Sequence, residues 1–168
     1  MLIANSLGSG ILESGALLGF LPRLCERLMG EELKLPSIAT WWCGEPAALE
    51  DALEKMDHLV FKSVDRSHNI DVVFGNDLDA EELADLRSKV KARPERYIAQ
   101  ELVHVSQAPV LSRGPDVGLE PRCVGLRVFA VATPSGYMVM PGGLTRVASS
   151  AKARVVSMQR GGGSKDTW

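Results

Sequence analysis

The last ten residues, "QRGGGSKDTW" (159–168), combine flexible backbone with positive charge. Gly161, Gly162 and Gly163 can adopt conformations closed to other residues. A loop of that kind, continuing into Ser164, can turn several N–H groups toward one anion. Arg160 and Lys165 place cations on either side, which suits a phosphate. Read locally, the same stretch is also a flexible basic tail. It is not a Walker A loop: Lys165 follows serine rather than glycine, and Asp166 stands where Ser or Thr is required.

Other candidates lie in apolar strands. Arg127, in "LRVFAVAT", points the same way as Phe129 and Val131. Inside a core it needs an anionic partner, either a structural carboxylate or a bound phosphate or carboxylate. Arg146 lies beyond the double-glycine turn in "GGLTRVA", in the same set of strands. Lys62, in "LVFKS", either extends to solvent along its own stem or offers a point charge to a nucleotide phosphate. In "YIAQELV", Gln100 and Glu101 are adjacent in a strand and so point to opposite faces, either with one of them toward a cleft or as solvated polar residues of an edge strand. His58, His68 and His104 show no HExxH-type spacing, and no GxSxG marks a serine nucleophile.

These residues need positioning elements. Leu17, Leu18, Leu21, Leu24, Cys25 and Leu28 recur at helical spacing over 14–30, predicting one buried face. Pro22 inside that pattern predicts a kink or two short helices, with Gly30 as the stop. Pro46 opens a second helix over 46–57. A third is predicted over 79–92, started by the Asp79…Glu82 capping signal and ended before Pro94. Strands are predicted at 58–64, at 71–75 as its hairpin partner, and at 96–105. Residues 107–121 read as an exposed loop. From 123 onward a meander of about three strands turns at "PSG" and at "GG", followed by a loop and "RVVSM".

Composition sets bounds. The chain has 168 residues, enough for one domain or two small lobes. A net charge of -2 and an aromatic content of 5% argue against a nucleic-acid or anionic-membrane surface. Cys25, Cys43 and Cys123 are odd in number and form no CxxC, so buried thiols in a reducing cytoplasm are expected. No apolar run reaches the roughly 18 residues that span a bilayer.

In order along the chain, "ANSLGSGILES", "LPSIATWWCG", "LVFKSV", "YIAQELV", "LRVFAVATPSGYMVMPGGLTRVA" and "QRGGGSKDTW" resemble the bacterial circularly permuted ATP-grasp proteins, relatives of glutathionylspermidine-synthase-like ligases. The resemblance implies an α+β fold of two small lobes with mainly antiparallel sheets and flanking helices. Residues 1–57 would form an N-terminal helical segment carrying the permuted metal-motif strand, 58–105 the small lobe and hinge, and 106–168 the phosphate-binding lobe. It implies ATP and Mg²⁺, with a small-molecule or peptide carboxylate and an amine joined through an acyl phosphate. Lys62 would contact ATP phosphates, and Gln100, Glu101, Leu102 and Val103 would form the hinge beside the adenine. Arg127 would hold phosphate or acyl phosphate. Arg146 and the loop from Arg160 to Lys165, including Gly161, Gly162, Gly163 and Ser164, would hold phosphate or substrate carboxylate. Asn5 resembles the metal-motif asparagine. In the turn after Lys62, Arg66, Ser67 and His68 replace the glycine-rich stretch of many relatives. The chain reads as a fragment, with the remainder of the domain or a second copy as its partner. The other reading is a nucleotide- or anion-binding module without catalysis, or an inactive fragment.

Overall fold

Antiparallel pairing organises the chain in the computed structural model, which describes residues 7–65, 70–111, 118–156 and 161–167. There are two compact units, Met1–Val103 and His104–Trp168, each described by itself.

In the first unit, four strands lie in the order β1 (Thr40–Trp42), β4 (Tyr97–Glu101), β2 (Leu59–Ser63), β3 (Val73–Phe74). The helices are α1 (Leu17–Met29), α2 (Pro46–Glu54) and α3 (Ala80–Ala92). The period-two alternation of β2 and β4 sends Leu59, Phe61, Tyr97 and Ala99 to one face of the sheet. There they pack with Ala52 and Leu53 of α2, Leu86 and Val90 of α3, and Met56 and Cys43. Burial pushes the Cys43 thiol up to about 11. Central strand β4 is also covered on its second face, where Ile98 and Gln100 are buried.

Local signals account for two of the helices. Asp79 caps α3, its Oδ1 accepting from the Glu81 and Glu82 amides at 2.9 Å each. Glu82 Oε2 accepts from the Asp79 amide at 2.9 Å, completing the capping box. Pro46 occupies the first turn of α2, but that helix ends at Glu54, and Met56–His58 form a separate 3-10 turn. The expected hairpin is present: Val60 pairs with Phe74 and Phe61 with Val73.

Helix α1 is one helix rather than two short ones, and it departs from expectation in its burial. It runs unbroken through Pro22, which removes only the N–H bond to the Leu18 carbonyl, and Gly30 ends it in the left-handed conformation with φ 70°. None of its residues is fully buried: Leu17, Leu21 and Cys25 are half-buried and Leu28 is 75% exposed, so its apolar stripe is only partly covered by the described residues. Cys25 on this stripe is half-buried, while Cys43 and Cys123 are buried. The helix approaches the sheet through glycines. The Gly15 amide donates to the Val64 carbonyl at 2.8 Å, and a Cβ on Gly19 would stand 2.6 Å from the Thr40 carbonyl oxygen.

The second unit holds a sheet in the order β10 (Gly163–Thr167), β9 (Gly143–Val147), β6 (Leu119–Arg127), β5 (Gln107–Leu111). A separate two-stranded ribbon is formed by β7 (Ala130–Thr133) and β8 (Gly136–Val139). Here the sequence reading is corrected in three places. Residues 107–111 and 119–121 are paired strand rather than loop. The Val124 amide donates to the Ser106 carbonyl at 2.8 Å, which puts Pro109 opposite Pro121 at a non-hydrogen-bonded position where a missing N–H costs nothing. The meander is interrupted: β6 pairs with β9, from Val124 opposite Val147 to Arg127 opposite Leu144, and the β7–β8 ribbon lies between them in sequence only. Gly163 to Thr167 form an edge strand rather than a loop. In "RVVSM", residues 154–156 are not strand, and the other two lie outside the described residues. No helix among the described residues is long and apolar enough to cross a membrane.

Removing the cap is expected to expose two amide donors at the start of α3. Asp79→Ala should lower stability by about 1 kcal/mol. Urea unfolding followed by circular dichroism measures this, and an unchanged midpoint would contradict the capping role.

Candidate functional site

In the first unit the site grows from the face of the sheet opposite the core. Cross-strand pairing sets Thr40, Gln100 and Val60 side by side, with Trp42, Ile98 and Lys62 as the next row. Within these strands Lys62 is the one charged residue on that face. Its Nζ donates to Gln100 Oε1 at 2.6 Å. Gln100 Nε2 donates to Thr40 Oγ1 at 2.9 Å, and Thr40 Oγ1 donates to the Ile38 carbonyl at 2.9 Å. Gln100 is only 4% exposed, and both ends of its amide are satisfied. Burial lowers the Lys62 pKa from its ordinary value. An ammonium has three donors, and among the described residues Lys62 has Gln100 as its sole hydrogen-bond partner.

The expected hinge residues separate. The Gln100 side chain is committed inward, to Lys62 and Thr40. Glu101 is exposed at the end of β4, its amide donating to the Ala39 carbonyl at 3.0 Å. Leu102 and Val103 follow the strand, the first half-buried and the second exposed. Thr40 was not foreseen. Nothing in "IATWW" marks it, because its role comes from lying opposite Gln100 sixty residues away in sequence.

The second unit sorts its cations by sheet face. Arg127, Leu144 and Asp166 form one row across three strands, and Gly125, Arg146 and Ser164 the row two residues along. Alternation therefore puts Arg127, Arg146, Ser164 and Asp166 on one face. Lys165 pairs with Thr145 and lies on the other face, where its Nζ donates to the Pro109 carbonyl at 2.7 Å. The grouping of Arg127, Arg146 and Lys165 read from the sequence thus divides. Arg127 is exposed rather than enclosed in a core. Arg146 is half-buried, and its Nε is buried with no hydrogen-bond partner among the described residues. Gly125 beside it carries no side chain, and Val156 comes no nearer than 3.9 Å to where a Cβ would stand.

Of the glycine run, Gly161 is left-handed at φ 76° and Gly163 pairs with Val147 in the sheet, so only part of it is free to curl around an anion. Asn5 and Arg160, together with Arg66, Ser67 and His68, lie outside the described residues. Each unit separately offers a donor that suits an anion: the second has the buried Arg146 Nε–H, without a partner among the described residues, and the first has the Lys62 ammonium, with donors that no described residue engages. The described residues bring together no three His, Cys, Asp or Glu side chains able to hold a metal.

The Lys62 environment has a signature in pH. Its folded pKa lies below the unfolded value near 10.5. Between the two, the unfolded chain holds a proton that the folded one has released, so this group makes stability rise with pH across that window. Cys43 acts oppositely, its contribution falling as pH climbs from 9.0 toward about 11. The difference between wild type and Lys62→Met cancels the cysteine. Lys62→Met is expected to be more stable at neutral pH, with its advantage shrinking through the alkaline window; a constant difference in urea midpoint from pH 7 to 10.5 would contradict it.

Comparison with known proteins bears on the family of the chain. Residues 1–148 match the family described as circularly permuted ATP-grasp type 2. The chain is 37% identical over 166 residues to a Frankia casuarinae protein named "Putative glutamate--cysteine ligase 2-2", covering 99% of this chain and 19% of that one. It is 34% identical over 168 residues to an uncharacterized protein of Mycobacterium tuberculosis, covering 100% and 30%. It is 31% identical over 166 residues to an uncharacterized protein of Synechocystis, covering 99% and 34%. The chain therefore spans between about a fifth and a third of the length of these relatives. Its mixed α+β architecture and antiparallel sheets, with the match over most of its length, place the chain in the circularly permuted ATP-grasp family, type 2.

Proposed function

We propose that this chain carries phosphate-binding residues of an ATP-dependent carboxylate–amine ligase. The observation that carries the reading is Arg146, whose buried Nε has no partner among the described residues, on a sheet face shared with Arg127. A buried unpaired donor costs about 1–3 kcal/mol, and an anion is what relieves it. Family membership supports the reaction class, and the name of the Frankia relative, "Putative glutamate--cysteine ligase 2-2", is consistent with it.

In that reaction a substrate carboxylate oxygen attacks the γ-phosphorus of ATP, ADP leaves, and an acyl phosphate forms. The amine then attacks the acyl carbon, its N–H proton is lost, and phosphate departs with the C–O bond broken. Lys62 is assigned to nucleotide phosphate oxygens. Arg127 and Arg146 are assigned to a phosphate or the acyl phosphate, where fixed cations offset charge that grows in the transition state. Magnesium carried with ATP would supply positive charge to the phosphates; no step is assigned to a metal ligand of this chain. The engagement of Lys165 with the Pro109 carbonyl favours, as a second reading, a nucleotide-binding module that does not turn over.

A ligand that binds only the folded chain raises its stability, by about 2.7 kcal/mol at 100 times Kd. Thermal unfolding with millimolar Mg·ATP is expected to shift upward, and Arg146→Met to weaken binding roughly tenfold while leaving the free protein as stable or up to about 1 kcal/mol more so. The reading is wrong if Mg·ATP leaves wild-type unfolding unchanged. ADP release in the presence of amino-acid or peptide carboxylates and amines separates the ligase from the module.

A further inference from the structure

The direction of each hydrogen bond around Gln100 is fixed by its neighbour. A threonine hydroxyl has one proton. Thr40 donates it to the Ile38 carbonyl at 2.9 Å, so toward Gln100 the same oxygen can only accept. The amide must therefore present its NH₂ to Thr40, as it does at 2.9 Å, and its carbonyl oxygen to Lys62, as it does at 2.6 Å. Reversing the amide would set NH₂ against an ammonium and oxygen against an oxygen with no proton to offer. Burial of Gln100 removes water as a substitute partner.

We propose that Thr40 and Gln100 are positioning residues that fix the Lys62 ammonium for a phosphate oxygen, and that the Gln100 side chain itself does not contact the nucleotide. The inference rests on the reading of Lys62 as a phosphate contact. It reassigns Gln100 from the adenine hinge and adds Thr40, which no motif marks. Three observations support it. The relay leaves Lys62 with further donors that no described residue engages. No carboxylate shares that face of the four strands; the other members of the face are Thr40, Trp42, Val60, Phe74, Ile98 and Gln100. Gly19 lets the segment carrying α1 come within van der Waals range of the Thr40 carbonyl, which anchors the far end of the relay.

The test has two arms on the full chain. In the first, the ¹³Cε resonance of Lys62, assigned by its loss in Lys62→Met, is titrated in wild type, Thr40→Val, Thr40→Ser and Gln100→Glu. Valine keeps the shape and strand preference of threonine, and serine restores the hydroxyl. Thr40→Val frees the amide to turn and should move the midpoint down; Thr40→Ser should return it to the wild-type position, and Gln100→Glu should move it up. In the second arm, Mg·ATP affinity is measured by calorimetry. Thr40→Val should weaken it roughly tenfold, the size of one misaligned charged hydrogen bond, with recovery in Thr40→Ser. An identical Lys62 titration in wild type and Thr40→Val, with Mg·ATP binding intact, overturns the relay alone. The expected titration shifts with no Mg·ATP binding by wild type overturn the phosphate contact, and with it the functional reading beneath this inference. A thermal shift confirms that each variant is folded.

Discussion

The pairing of β2 with β4 fixes the first unit. Leu59 opposite Glu101 and Ser63 opposite Tyr97 define a register in which Phe61 and Ala99 meet inside the core. The same register sets Lys62 beside Ile98, within reach of Gln100 on the other face. A slip of one residue would turn every side chain over, exposing Phe61 and driving the lysine ammonium into the apolar layer beneath α2 and α3. Core formation and the presentation of the ammonium are thus one constraint. The apolar residues that make the fold stable also decide which way the charge points.

That constraint explains how a glutamine comes to lie in a central strand among apolar neighbours. A buried amide is tolerated when every donor and acceptor has a partner, and Gln100 has Thr40 at one end and Lys62 at the other. Its burial restrains the lysine in turn, since a charged group half out of water keeps a position only when something nearby holds it. Trp41 shows the same economy on the core side: its indole N–H donates to Asp51 Oδ2 at 2.8 Å, while Asp51 Oδ1 accepts from Lys55 at 2.7 Å.

In the second unit, alternation acts on the cations themselves. Arg127 and Arg146 share a face because their cross-strand rows lie two residues apart, and Lys165 falls on the reverse. Lys165 then reaches from edge strand β10 to the backbone of edge strand β5, which requires the sheet to curl until its two edges approach. Arg122 joins the same side of the sheet to Glu120 and to the Ala148 carbonyl. Arg146 is half-buried and its Nε has no partner among the described residues, which is costly for the fold alone.

The sequence by itself determined what depends on neighbours along the chain. Helix α3 starts where the Asp79 and Glu82 side chains can reach the first amides, the β2–β3 hairpin forms across its polar turn, and the order of motifs gives the family. The tertiary structure alone decided the pairings. Continuous alternation from Val124 to Val131 reads equally well as one meander, yet β6 passes over the β7–β8 ribbon to join β9. Pro109 and Pro121 suggested a loop, and only their opposition at a non-hydrogen-bonded position makes them compatible with a sheet. Pro22 interrupts one bond of α1 without ending it. Thr40 gained its role through a partner sixty residues distant, and Lys165 lost its place beside the arginines through a half-turn of pleat. The physical reason is common to all of these. Capping and turn chemistry act over a few residues and leave a mark in the sequence, whereas strand partner and register are set by which faces can be buried together.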